Sequence, residues 1–70
     1  MTILEQSVST RYKSLNPTFD ERSRRYWAAA EALSAGRGGV VSVSRATGIS
    51  RTTIYQGIKD LKILKVFGIV

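Results

Sequence analysis

The chain contains neither cysteine nor histidine, and it has a single proline among its 70 residues. Without cysteine it cannot form disulfides or use thiolate chemistry, and without histidine it lacks the usual zinc ligands and the commonest acid–base catalyst. Only five acidic residues stand against eleven lysines and arginines, which gives a net charge of +6. A domain this basic attracts polyanions, of which nucleic acid is the commonest in a cell. A basic surface that only aids solubility is the alternative interpretation.

No segment has the pattern of a targeting sequence or a membrane span. The first ten residues show no basic stretch ahead of an apolar block, so a secretory signal is not expected. The apolar run at 63–70 is too short to cross a bilayer and is interrupted by Lys65. We therefore expect a cytoplasmic, nucleoid-associated protein with no membrane partner, no cofactor and no small-molecule partner.

Hydrophobic spacing predicts an all-α domain of four helices, of which the first covers residues 2–15. Its apolar positions recur every three or four residues and fall on one helix face: Leu4, Val8, Tyr12 and Leu15. Asn16 and Pro17 end this helix, because the residue before a proline is disfavoured in the helical conformation. Residues 1–17 are accordingly interpreted as an N-terminal amphipathic helix.

The second predicted helix covers residues 19–35 and has clear signals at both ends. Thr18 and Glu21 fit a capping box at its start, and Gly36 is a natural terminator. One stripe is expected to face the core: Phe19, Tyr26, Ala30 and Leu33, with Trp27 on its flank. Arg24 and Arg25 fall on the other side, where solvation is at least as good an interpretation as phosphate binding.

The segment after the glycine-rich connector at 36–39 contains two conflicting patterns. Residues 40–44 alternate apolar and polar side chains and are rich in β-branched residues, which is typical of a short strand. Val40, Val43 and Ala46, however, are spaced three apart, as in a short helix that Thr47 and Gly48 would end. The helical alternative is favoured by the residues that follow, which place a helix-turn-helix at about 40–62 within a helical domain of residues 18–62.

The predicted helix-turn-helix depends on the turn at residues 48–50. Gly48 can adopt a positive φ, Ile49 fills the space between the two helices, and Ser50 is a preferred N-cap for the last helix. That helix has an apolar face formed by Ile54, Ile58 and Leu61. Gly57 lies on the flank of this face, where the absence of a side chain permits close packing.

The opposite face of the last helix carries residues suited to reading DNA in the major groove. Glutamine can form a bidentate pair with adenine, and threonine can contact a base edge or a thymine methyl group. The residues predicted to contact base edges are Arg51, Thr52, Gln56 and Lys59. Those predicted to contact phosphate are Ser50, Thr53, Tyr55, Arg45 and Arg37. An ordinary solvated helix face is the alternative, and the turn, the cap and the overall basicity favour DNA.

Three segments together carry a family resemblance: DERSRRYWAAAEA at 20–32, RGG at 37–39 and ATGISRTTI at 46–54. They resemble the N-terminal region of bacterial insertion-sequence transposases of the Rhodopirellula type. The resemblance implies a DNA-binding helix-turn-helix that reads terminal inverted repeats and precedes a DDE catalytic domain of RNase H-like fold. After residue 61 the family continues into a polar linker, whereas this chain enters the apolar tail at 63–70, as expected of a truncated or frameshifted copy.

The acidic residues do not provide the catalytic site of that family. A DDE site needs three carboxylates that bind two divalent metals. Asp20 and Glu21 are assigned to a helix start, Asp60 to the last helix, and Glu5 and Glu31 to helix surfaces. We therefore expect no enzyme. Two other functions stay open. The chain could be a small transcriptional regulator acting as a homodimer, or a remnant that does not bind DNA but inhibits full-length transposase by binding it through the tail.

Overall fold

The computed structural model describes residues 3–66, with side chains up to Ile63. Four helices follow one another as α1 (Ile3–Leu15), α2 (Glu21–Ala35), α3 (Gly39–Thr47) and α4 (Arg51–Val66), and a 3₁₀ turn at Asn16–Thr18 joins α1 to α2. The predicted all-α, four-helix class is confirmed. Residue 2 of the first predicted helix and residues 67–70 of the predicted tail lie outside the described residues, and α4 extends over 63–66.

The conflict at residues 40–44 resolves in favour of a helix. Val43 is fully buried, and Val40 and Ala46 pack against the same cluster, so the spacing of three identified the core face of α3. The alternating pattern is overridden because α3 is covered by both α1 and α2. Gly48 ends the helix, as predicted.

The core face of α1 differs from the predicted stripe at both of its ends. Val8 is completely buried, but Leu4 and Leu15 are exposed. Glu5, which was expected at the surface, is only 4% exposed. The reason is that α1 packs on α3 through a face formed by Glu5 and Val8, and Leu4 lies about 100° from Glu5 around the helix, outside that face.

The start of α2 lies two residues later than predicted, and different side chains cap it. Asp20 is the N-cap: its carboxylate accepts a hydrogen bond from the Ser23 amide at 2.8 Å, and the Ser23 hydroxyl accepts one from the Asp20 amide at 3.0 Å. The predicted capping box of Thr18 and Glu21 is therefore wrong. Thr18 belongs to the 3₁₀ turn at Pro17, where its hydroxyl donates to the carbonyl of Leu15.

The buried face of α2 is made of small side chains rather than the large ones expected. Ala28, Ala29 and Ala32 are buried, whereas Ala30 and Leu33 of the predicted stripe are exposed. Alanine lines this face because α3 and α4 approach it closely; Gly39 of α3 contacts the carbonyl of Ala32. The core-facing side of α2 was therefore predicted wrongly, since Ala28, Ala29 and Ala32 face the core in place of Ala30 and Leu33.

An aromatic cluster joins α1 to α2 on the outer part of the core. Trp27 lies between Tyr12 of α1 and Phe19, with ring centroids 5.5 Å apart in both pairs. Trp27 packs against the core that all four helices share, which is formed by Val8, Ala28, Ala32, Val43 and Ile54. The helix-turn-helix is thus held on a scaffold made by α1 and α2.

Candidate nucleic-acid interface

The turn between α3 and α4 has the backbone conformation that its glycine was predicted to supply. Gly48 has a φ of 78°, and its amide donates to the carbonyl of Ser44 at 2.9 Å, which closes the last turn of α3. A β-carbon disfavours this left-handed conformation, so glycine relieves the strain that other residues would suffer there.

Two hydroxyl side chains fix the direction in which the chain leaves this turn. The Ser44 hydroxyl donates to the carbonyl of Ile49 at 2.7 Å. The Thr47 hydroxyl accepts from the amide of Ile49 at 3.1 Å and donates to the carbonyl of Val43 at 2.7 Å. Both the amide and the carbonyl of Ile49 are thus hydrogen-bonded, and its side chain packs against the core. These bonds set the angle between α3 and α4.

Ser50 caps α4, as predicted. Its hydroxyl accepts a hydrogen bond from the Thr53 amide at 3.2 Å, and the two side-chain hydroxyls are 2.9 Å apart in a further hydrogen bond. Because these hydroxyls bond to each other, Ser50 and Thr53 are pre-oriented at the start of α4. A phosphate at this helix end would meet them together with the free amides of the first turn.

Opposite faces of α4 have opposite character. Ile54 is fully buried, and Ile58 and Leu61 are partly buried. The other face is open to solvent along its length, and its exposed residues are Arg51, Thr52, Tyr55, Gln56, Lys59, Lys62 and Ile63. The spacing of Thr52, Gln56 and Lys59 places them within about 60° of one another around the helix. The structure therefore brings together three of the four residues predicted to contact base edges, and Arg51 lies about 100° away from Thr52 around the helix.

The two predicted phosphate-binding arginines outside α4 lie near the two ends of α3. Arg37 is exposed in the connection before α3, and Arg45 is exposed in the last turn of that helix. The two arginines are therefore at opposite ends of α3, where they could contact different phosphates. Arg45 also contacts the buried Glu5, with 3.7 Å between Nη1 and Oε1.

Within the described part of the chain, the basic residues divide into those with a carboxylate partner and those without. Arg11 pairs with Glu31 through two hydrogen bonds of 2.7 Å, which raise the pKa of its guanidinium. Arg25 pairs with Asp60 at 3.4 Å. Residues 3–63 show no ion pair for Arg37, Arg51 or Lys59. No carboxylate of the described residues offsets their charges.

Arg24 and Arg25, for which solvation and phosphate binding were both considered, make contacts within the protein. The Arg24 Nε donates to the side chain of Asn16 at 3.0 Å, and Arg25 is partly buried beside α4, with its guanidinium 5.6 Å from the ring centroid of Tyr26. Arg25 and Asp60 border a shallow groove along the side of α4 that was predicted to read bases. The groove is lined by Arg25, Gln56, Lys59, Asp60 and Ile63. Sequence analysis missed this pairing, and the only local signal for it was the close approach indicated by Gly57.

Between residues 3 and 66, no cluster of acidic or other ligating side chains could hold a metal ion. No helix over the same range combines the length and apolar character needed to cross a membrane. No protein-family model, curated protein or solved structure gives a match to the chain.

Proposed function

We propose that this chain binds duplex DNA through the helix-turn-helix of α3 and α4, with α4 in the major groove. The main observation behind this proposal is that α4 has one buried face and one exposed polar face. One side is anchored in the core by Ile54, while Thr52, Gln56 and Lys59 are exposed together on the other. An α-helix fits the major groove, and side chains on one helix face can reach successive base edges there.

Electrostatic attraction supplies most of the affinity in this proposal. Arg37, Arg51 and Lys59 are exposed and have no carboxylate partner within residues 3–63. Each phosphate that a protein contacts through such a group releases condensed counterions from the DNA, so binding weakens as salt rises. Contacts to four or five phosphates correspond to a slope of about −4 in a plot of log affinity against log salt.

Sequence readout comes from the outer face of α4. Gln56 is placed to pair with an adenine, Thr52 to contact a base edge or thymine methyl, and Arg51 and Lys59 to reach guanine or phosphate. The resemblance to transposase N-terminal regions suggests that the bound sequence is a transposon end. The chain would then bind the terminal inverted repeat in the bacterial cytoplasm.

The proposal is tested by fluorescence anisotropy with a labelled duplex at several salt concentrations. We expect a slope near −4, and we expect Arg37→Gln, which removes a charge assigned to a phosphate contact, to reduce its magnitude by about one. Lys13→Gln is the matched control, because it removes the same charge from an exposed position on α1. Affinity independent of salt, or no binding to any duplex, would overturn the proposal.

The bound sequence itself is found by selection from a pool of random duplexes. A single asymmetric site supports binding to a transposon end by one copy of the chain. A site with two-fold symmetry indicates a homodimeric regulator instead, since a dimer of this motif repeats its contacts about one helical turn apart.

A further inference from the structure

The one buried charged residue of the described chain lies in contact with the helix-turn-helix. Glu5 of α1 is 4% exposed and sits one turn before the fully buried Val8. A carboxylate loses favourable hydration at such a position and is stabilised there by a nearby cation. Arg45 of α3 supplies one, with its Nη1 3.7 Å from Oε1 of Glu5.

The two partners of this ion pair differ sharply in exposure. The side chain of Glu5 is 5% exposed, whereas that of Arg45 is 69% exposed. Arg45 is therefore open to a second anion from the solvent side while Glu5 is fixed in place by its helix. A phosphate that approaches Arg45 meets a guanidinium whose charge is partly offset by the carboxylate behind it. Salt screens a buried charge less than an exposed one.

We propose that Glu5 sets the affinity of the DNA-binding face by competing with a DNA phosphate for Arg45. This inference rests on the proposed function and assigns α1 a role in it. Through the carboxylate of Glu5, which lies next to the helix-turn-helix, α1 lowers the attraction of the DNA-binding face for phosphate. Removal of that carboxylate makes the full charge of Arg45 available to DNA.

The chain offers a matched control for the test. Glu31 also forms an ion pair with an arginine, Arg11, at 2.7 Å. That pair joins α1 to α2 and does not involve the helix-turn-helix. Glu5→Gln and Glu31→Gln each raise the net charge by one. A general effect of charge on DNA binding is the same in both, whereas competition for Arg45 occurs only at Glu5.

The experiment measures anisotropy with a nonspecific duplex for the wild type, both single variants, Arg45→Ala and the double variant Glu5→Gln/Arg45→Ala. We expect Glu5→Gln to tighten binding about threefold to tenfold at low salt, and Glu31→Gln to change it less than about twofold. In the Arg45→Ala background, the effect of Glu5→Gln should fall to that of Glu31→Gln. Circular dichroism checks that each variant is folded.

Glu5→Met is a second neutral variant, since methionine has a similar volume and suits a buried helical position. Equal effects of Glu5→Gln and Glu31→Gln, or an effect of Glu5→Gln that persists without Arg45, would overturn the inference while leaving DNA binding intact. Loss of folding in both Glu5 variants would overturn it too, because Glu5 would then be required for the fold itself. Absence of DNA binding in the wild type and every variant would overturn the proposed function together with the inference.

Discussion

Gly57 of α4 lies directly against the backbone of Arg25 in α2. A Cβ at residue 57 would stand 2.6 Å from the carbonyl oxygen of Arg25 and 2.9 Å from the Cβ of Ala29. The backbone oxygen cannot move aside as a flexible side chain could. This contact therefore fixes how closely α4 packs on the scaffold and, with it, the position of the outer face of α4.

Gly57→Ala should destabilise the domain, although alanine is the better helix former. The gain in helix propensity is about 1 kcal/mol, but the new methyl group overlaps the carbonyl of Arg25 and forces α4 outward. We expect a net loss of about 1–3 kcal/mol in the free energy of unfolding, measured by urea denaturation. Gln56→Ala is the control, since that side chain is exposed. Equal or greater stability of Gly57→Ala would show that the two helices are not held at this distance.

Thr47→Val should weaken the turn without changing the volume of the side chain. The Thr47 hydroxyl accepts from the amide of Ile49 and donates to the carbonyl of Val43, and valine can do neither. A partly buried amide left without its partner costs about 1–3 kcal/mol, which urea denaturation would detect. Thr52→Val serves for comparison, because Thr52 is exposed on α4. If the two valine variants are equally stable, the hydroxyl of Thr47 does not hold the turn.

The Asp20 cap should make stability depend on pH in the acidic range. The hydrogen bond from the Ser23 amide, together with that from the Ser23 hydroxyl, lowers the pKa of Asp20 below its ordinary value of 3.8. Because the folded-state pKa is the lower one, the stabilisation is complete above the ordinary value and is lost as pH falls through the folded-state pKa. Asn is also a good N-cap but does not titrate. Thermal denaturation of Asp20→Asn should therefore show a smaller fall in Tm on acidification than the wild type, and parallel curves would contradict this.

Gln56→Ala and Arg37→Ala should affect DNA binding in different ways. Gln56 is assigned to a base edge, so its loss should cost roughly 1–3 kcal/mol on the selected sequence and little on unrelated duplexes. Arg37 is assigned to a phosphate, so its loss should weaken binding to every sequence alike. Competition titrations with specific and nonspecific duplexes measure both effects. Identical behaviour of the two variants would refute the division into base and phosphate contacts.

Several boundaries were predictable because single residues determine them locally. Gly48 supplies the left-handed conformation that ends α3, and Ser50 supplies the hydroxyl that caps α4. The inner face of α4 was predictable for a related reason, since Ile54 and Ile58 are large and repeat with the helical period. These features depend on residues a few positions apart, where sequence patterns are informative.

The features that sequence analysis missed depend on which helices meet in space. The core face of α2 consists of Ala28, Ala29 and Ala32, which give little periodic signal, while the more apolar Leu33 is left exposed. The contact between Glu5 and Arg45 spans forty positions, and only the packing of α1 on α3 brings the two together. No local pattern marks a carboxylate as buried when a distant helix supplies its partner.

The packing of Trp27 against Tyr12 and Phe19 gives the protein an intrinsic fluorescent reporter. Trp27 is the only tryptophan of the chain, so its indole emission arises from one known place. If α1 separated from α2, Tyr12 would leave the Trp27 ring and water would reach the indole. The fluorescence emission of Trp27 would then shift to longer wavelength. The same helix carries Glu5, so an unlabelled sample reports by its own fluorescence whether the carboxylate beneath Arg45 is in position.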